Sequence, residues 1–151
     1  IFKGSNFILV PTQKNKKETI EAVKDLATKM EFGRICTLSI EEHDKMIGFL
    51  SQLTHVIAVS LMNTHDNAHL VEYTGDSFRD LTRIAKINED LWTELFIMNK
   101  DILLDEINQF IDSISHFRDS LEQEDTQEMK RLFIQSTKSR DKFNKTDAKK
   151  R

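Results

Sequence analysis

The sequence predicts a mainly α-helical protein, an all-helical region preceded by a short β-α-β remnant of an α/β domain. Three observations predict it. Four glycines and one proline in 151 residues are too few for a turn-rich all-β fold and suit long helices. The two compact β-prone runs, "FILVP" at 7–11 and "RICTLSI" at 34–40, lie together at the start, with one amphipathic segment between them. Beyond residue 39 the apolar positions recur at three- and four-residue spacing, the period of helices that bury one face.

Pro11 closes the first run, so 7–11 reads as a buried strand. In "TQKNKKETIEAVKDLATKMEFG", Ile20, Val23, Leu26, Ala27 and Met30 form a helical stripe and Gly33 is the expected stop. The second run completes one crossover unit. That unit is too small for an independent α/β domain and reads as the last edge of one. Ile1 is not an initiator residue, so the chain is expected to be a piece of something longer. Ser39 and Glu42 have capping-box spacing. No Asp, Glu, Lys or Arg occurs from Met46 to Asn63. Such a helix either spans a membrane or is buried on nearly all sides. Ser51, Gln52, Thr54, His55 and Ser60 would each be costly in lipid, so a core or subunit-interface helix is favoured over a membrane span.

Residues 63–76 are polar and end near Gly75, as a loop would. A short helix is expected over 77–87 with Phe78, Leu81, Ile84 and Ala85 facing inward, and Asn88 followed by Glu89 and Asp90 marks another helix start. Leu103, Ile107, Phe110, Ile114, Phe117 and Leu121 then form a seam suited to helix–helix packing. A last helix is expected over 126–143. The domain reading is therefore 1–38 as the incomplete edge of an α/β domain, 39–143 as a helical domain, and 144–151 as a basic tail or linker.

Composition excludes several classes. The formal charge is −3 with both signs interspersed, and no basic face speaks for nucleic acid. Cys36 is the single cysteine, so no internal disulfide can form; this suits the cytoplasm. No glycine-rich phosphate loop and no nucleophile–base pair is readable, so no catalytic residue is assigned. His65 and His69 are four apart, but no third ligand accompanies them and no metal is expected.

Gly48, Gln52, His55, Val59 and Met62 share a helical stripe distinct from Leu50, Leu53, Ile57 and Leu61. A glycine, an amide and an imidazole on one side of an apolar helix make a polar notch. His55 is either a satisfied buried histidine or a ligand contact. Asp44 in the first turn suits the helix dipole, and His43 beside it reads as a capping or surface residue. Arg83 shares a stripe with Asp80 and Asp76. It is either part of a solvated face or a carboxylate-binding guanidinium, the second reading being favoured by Gly75 before it and Trp92 after it.

"IFKGSNFILVPT", "EEHDKMIGFLSQLTHVIAVSLMN" and "GDSFRDLTRIAKINEDLW", followed by the seam helix, resemble prephenate dehydrogenases in content and order, from Ile1 to about Phe143. These are NAD(P)-dependent enzymes of tyrosine biosynthesis. The resemblance implies a Rossmann domain that binds NAD or NADP, its last edge at 1–38, and a helical domain that dimerises and completes the substrate pocket. It implies that Arg83 binds a carboxylate of prephenate, that His55 and Gln52 line the pocket, and that Gly75 and Asp76 lie in a loop over the substrate. Asp80 and Trp92 become pocket or gating residues, Trp92 within reach of the neighbouring subunit's site. Gln52 departs from the pattern, since many members carry histidine there. The family's glycine-rich loop and catalytic histidine are not among these residues, so the chain alone is expected to be inactive. Arogenate is a rival substrate, and a non-enzymatic helical interaction module is a rival function. The chargeless helix is itself an argument for a homodimer, because a twin would bury it.

Overall fold

The computed structural model describes residues 2–65 and 69–147, with side chains through residue 143. Cα packing divides the chain into two compact units, Ile1–Glu106 and Ile107–Arg151.

The first unit opens with β1 (Asn6–Leu9), α1 (Lys17–Lys29) and β2 (Arg34–Thr37). The strands pair in parallel, Asn6 against Arg34 through Leu9 against Thr37, so the expected crossover unit is present. Ala27 of α1 is buried, and Phe32 stacks on Phe2 and meets Phe7 edge-on at ring-centroid distances of 5.4 and 4.8 Å. Leu26 and Met30 stay exposed, so one apolar flank of α1 finds no cover among the described residues. Gly33 is not the helix stop. The left-handed residue after α1 is Glu31, φ 60. Gly33 is instead required by close approach, since a Cβ there would sit 2.6 Å from the Gly4 carbonyl oxygen.

Next come α2 (Ile40–Ile47), a wide π-type turn over Gly48–Leu53, and α3 (Thr54–Asn63). The capping box forms as the spacing requires: Glu42 N–H donates to Ser39 Oγ, and Ser39 N–H donates to the Glu42 carboxylate. Among the described residues, Ile40–Asn63 is the one helical run long and apolar enough, by length and composition, to cross a membrane. Enclosure on nearly all sides is not observed. Gly48, Gln52, Leu53 and Ala58 are buried, whereas Phe49 and Leu50 are 54% and 53% exposed. A domain of this size has too few neighbouring helices to wrap a whole apolar cylinder.

A single turn (Val71–Tyr73) precedes α4 (Asp76–Thr82), the single turn Arg83–Ala85, and α5 (Glu89–Met98). The loop expected over 63–76 lies partly outside the described residues. Leu81, within α4, is 52% exposed, contrary to the inward face expected of it: the short helix buries Phe78 and Thr82 only in part and turns Leu81 to solvent. Asn88 caps α5, its Oδ1 accepting from Leu91 N–H at 2.9 Å. Then α6 runs Lys100–Glu122. The seam is buried at Leu103 and open further along, Ile114 being 53% exposed.

The second unit holds the later turns of α6 and α7 (Thr126–Asp147). Helix α7 continues into the expected tail, and 148–151 lie outside the described residues. Asp125 Oδ1 accepts from Gln127 and Glu128 N–H, and Phe117 packs on Phe133 with centroids 6.0 Å apart. Glu128 bonds both His116 Nε2, at 2.7 Å, and Arg131 Nε, at 2.6 Å.

Candidate functional site

The wide turn Gly48–Leu53 is the origin of the site. Helices leave the α geometry only where something holds the backbone there, and such turns recur at functional positions. Here the holding groups are identifiable. Gly48 packs so closely on α6 that a Cβ would lie 2.9 Å from Ile102 Cγ2. Gln52 is 4% exposed; its Nε2 donates to the Leu95 carbonyl at 3.1 Å and its Oε1 accepts from Asn99 Nδ2 at 2.8 Å. Asn99 Nδ2 also donates to the Asp44 carbonyl at 3.0 Å. One amide pair thus ties the end of α2, the turn and the corner between α5 and α6. Buried amides bonded in this way stabilise modestly, but breaking one leaves partners unpaired at about 1–3 kcal/mol each.

The turn delivers His55. Its Nδ1 lies 2.8 Å from the Ser51 carbonyl oxygen. A carbonyl can only accept, so Nδ1 carries the hydrogen and Nε2 is the ring atom left for another group. The imidazole stacks on Trp92 at a centroid distance of 3.7 Å and 31° between planes, and Trp92 meets Phe96 edge-on at 5.5 Å. His55 is half-buried. The two readings left open by spacing combine: the imidazole is satisfied at one nitrogen and available at the other. Trp92 lies against His55 of its own chain.

Arg83 opens the single turn after α4 and is exposed. Among the described residues no hydrogen bond or ion pair holds its guanidinium. Helix α3, which carries His55, packs against both α4 and the turn Arg83–Ala85, so the elements bearing the imidazole and the guanidinium are neighbours. The Arg83–Asp80–Asp76 stripe does not form a salt-bridge ladder. Asp76, at the fully exposed start of α4, is met by Arg79 Nη1 at 3.5 Å, and Asp80 is exposed. Gly75 has φ −90 and open space where a Cβ would be, so its conformation does not demand glycine. His43 Nδ1 bonds Asp44 Oδ1 at 3.0 Å. Sequence reasoning missed Asn99 and the Ser51 carbonyl. The usable signal was an amide interrupting the apolar run "LFIMNKDILL".

Two grooves lie elsewhere. One, of about 320 Å³, is lined by Phe117, Leu132, Phe133 and the serines 113, 136 and 139. The other, of about 130 Å³, sits past the carboxyl end of β1 between Leu9, Pro11, Ile20 and Val23. In open parallel sheets ligands gather at that end, but residues 10–16 contain no glycine and the groove is apolar. These residues do not fit the pyrophosphate of a dinucleotide.

Residues 39–135 match the family described as prephenate dehydrogenase, dimerization domain. The prephenate dehydrogenase of Bacillus subtilis (strain 168) is 33% identical over 146 residues, covering 93% of this chain and 39% of that protein. The cyclohexadienyl dehydrogenase of Zymomonas mobilis is 28% identical over 146 residues, 93% of this chain and 50% of that protein. The A. aeolicus prephenate dehydrogenase, solved in complex with hydroxyphenyl propionate and NAD+, superposes with a TM-score of 0.79 at 29% identity, over 91% of this chain and 50% of that one. A Synechocystis arogenate dehydrogenase, at 19% identity and a TM-score of 0.80 over 94% of this chain and 53% of that one, shares the fold. The chain spans about half the length of these relatives, or less. With the family model matched over residues 39–135, from the capped helix through the long seam helix into α7, the chain belongs to the prephenate dehydrogenase dimerization-domain family.

Proposed function

We propose that the chain is the substrate-binding and dimerisation part of a cytoplasmic, NAD(P)-dependent prephenate dehydrogenase, which converts prephenate to 4-hydroxyphenylpyruvate in tyrosine biosynthesis. In this reading 1–38 is the edge of the nucleotide-binding domain, 39–143 the helical domain and 144–151 a tail or linker. The observation that carries it is a half-buried imidazole, fixed by Ser51 and stacked on Trp92, on a helix packed against the turn of Arg83, whose guanidinium has no partner among the described residues. The A. aeolicus relative, whose complex holds NAD+ and a hydroxyphenyl acid, supports the same ligand chemistry.

Prephenate carries two carboxylates and a ring hydroxyl. Loss of carbon dioxide and of a hydride makes the ring aromatic, which supplies the driving force, so the protein's task is to hold the ring in place. The dinucleotide, when bound, supplies the hydride acceptor. Arg83 has the planar donor fork that grips a carboxylate with two parallel N–H groups. His55 Nε2 meets a second polar group of the substrate, as acceptor when neutral and donor when protonated. Trp92 gives the ring an apolar wall. Gln52 acts from behind the pocket, its amide being occupied within the chain, while Gly75, Asp76 and Asp80 form its exposed rim. Exposed Phe49, Leu50, Ile114 and Leu121 form the faces that a second copy would cover, making a homodimer.

The test is turnover by the full-length protein of prephenate and, separately, of arogenate, with NAD and with NADP. Reduction of either dinucleotide with prephenate is expected. No reduction with either substrate would leave the chain as a helical interaction module. Sedimentation at micromolar concentration is expected to give a dimer.

A further inference from the structure

The wide turn places a crowded carbonyl at Ser51. That oxygen accepts from Thr54 N–H, from Thr54 Oγ1 at 2.7 Å and from His55 Nδ1 at 2.8 Å. The ring's tautomer therefore depends on where this carbonyl points. The helix backbone holds it through Thr54 N–H, and the next residue, Gln52, is tied by its side-chain amide to Leu95 and Asn99. Asn99 is the last residue of the corner between α5 and α6, held there by Leu103 N–H donating to its carbonyl at 3.0 Å. Its Nδ2 reaches both Gln52 and the Asp44 carbonyl, across 47 and 55 residues of chain. Trp92, Phe96 and Asn99 lie at i, i+4 and i+7 on α5 and its cap, so one helix face supplies both the wall of the imidazole and the pin of its turn.

We propose that Asn99 is a positioning residue for His55: its amide pins the turn whose Ser51 carbonyl holds Nδ1–H, so that Nε2, an acceptor in that tautomer, is the nitrogen presented to the hydroxyl of a carboxylate-bearing substrate. The inference rests on reading His55 as substrate-facing. Asn99 touches no substrate; it acts through Gln52, the turn and Ser51. A neutral imidazole free in water favours the opposite tautomer, with the hydrogen on Nε2, so the Nδ1–H form is a measurable consequence of the pin.

The experiment is nitrogen NMR of ¹⁵N-histidine-labelled full-length protein, above the pH where histidine titrates, with His55 assigned from a His55→Gln variant, and steady-state kinetics alongside. Native His55 is expected in the Nδ1–H form. In Asn99→Leu that form should give way to a mixture, and KM for prephenate should rise on the order of tenfold, with KM for the dinucleotide unchanged. Asn99→Gln, which keeps the amide, should recover part of both. If Asn99→Leu does not fold, Asn99→Asp, which keeps the shape and loses both donors, carries the same expectations. An Nε2–H form in the native protein overturns the proposal, and so does a folded Asn99→Leu or Asn99→Asp protein that keeps the native tautomer and KM. Should the protein not oxidise prephenate at all, the functional reading falls, while the tautomer and its response to Asn99 still decide the positioning.

Discussion

His55 and Arg83 stand at two ends of one candidate site and are held in opposite ways. His55 is fixed on two sides, by the Ser51 carbonyl and by the Trp92 ring, and the turn beneath it is pinned by the buried Gln52 amide and the half-buried Asn99 amide. Arg83 is exposed on a single turn with no partner among the described residues. An ordered group loses little freedom when a ligand arrives; a long exposed side chain loses up to about 2 kcal/mol of rotamer entropy. In the proposed site the imidazole end would orient the substrate and the guanidinium end would attract it. With no partner among the described residues, the Arg83 guanidinium has no internal bond there to break before meeting a carboxylate.

The sharpest way to break that contrast is Arg83→Ala. Losing a bidentate, charge-assisted pair should raise KM for prephenate on the order of 100-fold and alter kcat much less. Arg83→Lys should recover only part, since an ammonium is a point charge without the planar fork. An unchanged KM in steady-state assays would remove Arg83 from the site.

Gln52→Ala tests the other end through stability. It strips the Leu95 carbonyl and the Asn99 amide of a buried partner, and a cost of about 2 kcal/mol is expected in urea unfolding. A loss below about 0.5 kcal/mol would mean that water replaces the amide and that the turn is not pinned. Gly48→Ala should cost less, about 1 kcal/mol, because the intruding methyl meets Ile102 Cγ2, a side-chain end that can shift by a few tenths of an ångström. A stabilised Gly48→Ala protein would show that the turn tolerates a regular helix.

Much of this architecture was legible in the sequence because it is local. The capping box at Ser39 and Glu42 and the Asn88 cap follow from residues three positions apart, and each element of the β-α-β start carries its own local period, although its strands pair 28 residues apart. The wide turn was not legible. A reading at 3.6 residues per turn runs straight through 46–63, and it puts Leu50 with Leu53 on one stripe; in the structure Leu53 is buried and Leu50 exposed. For the site, His55, Arg83 and Trp92 stood out by type and neighbourhood. Asn99 did not, since its partners are 47 and 55 residues away, and nothing in the local pattern encodes a contact at that separation. The Arg79–Asp76 pair was not singled out either, because an exposed i,i+3 pair is worth only tenths of a kcal/mol.

The smallest effect belongs to the α6–α7 hairpin, where order comes from exposed charge and not from buried amides. The Arg131 guanidinium, and after it the His116 ring, bond the Glu128 carboxylate and lower its pKa from 4.5 to about 2. A depressed carboxylate stabilises the folded state fully above its unfolded value and loses that contribution as pH falls through the folded one. The hairpin should therefore weaken between about pH 4.5 and 2, whereas the Gln52–Asn99 amides do not titrate and the turn they hold should keep its protection. Other carboxylates titrate in the same window, so the informative quantity is the difference between wild type and Glu128→Gln. Amide hydrogen exchange across α6 and α7 should respond to acid less steeply in the variant, while exchange at Gly48–Leu53 responds alike in both proteins. Because the cluster is solvated, the difference should also shrink in high salt. An acid response in the hairpin identical in the two proteins would show that packing of Phe117 on Phe133, not charge, holds that corner, and the contrast between the two regions would then be one of burial alone.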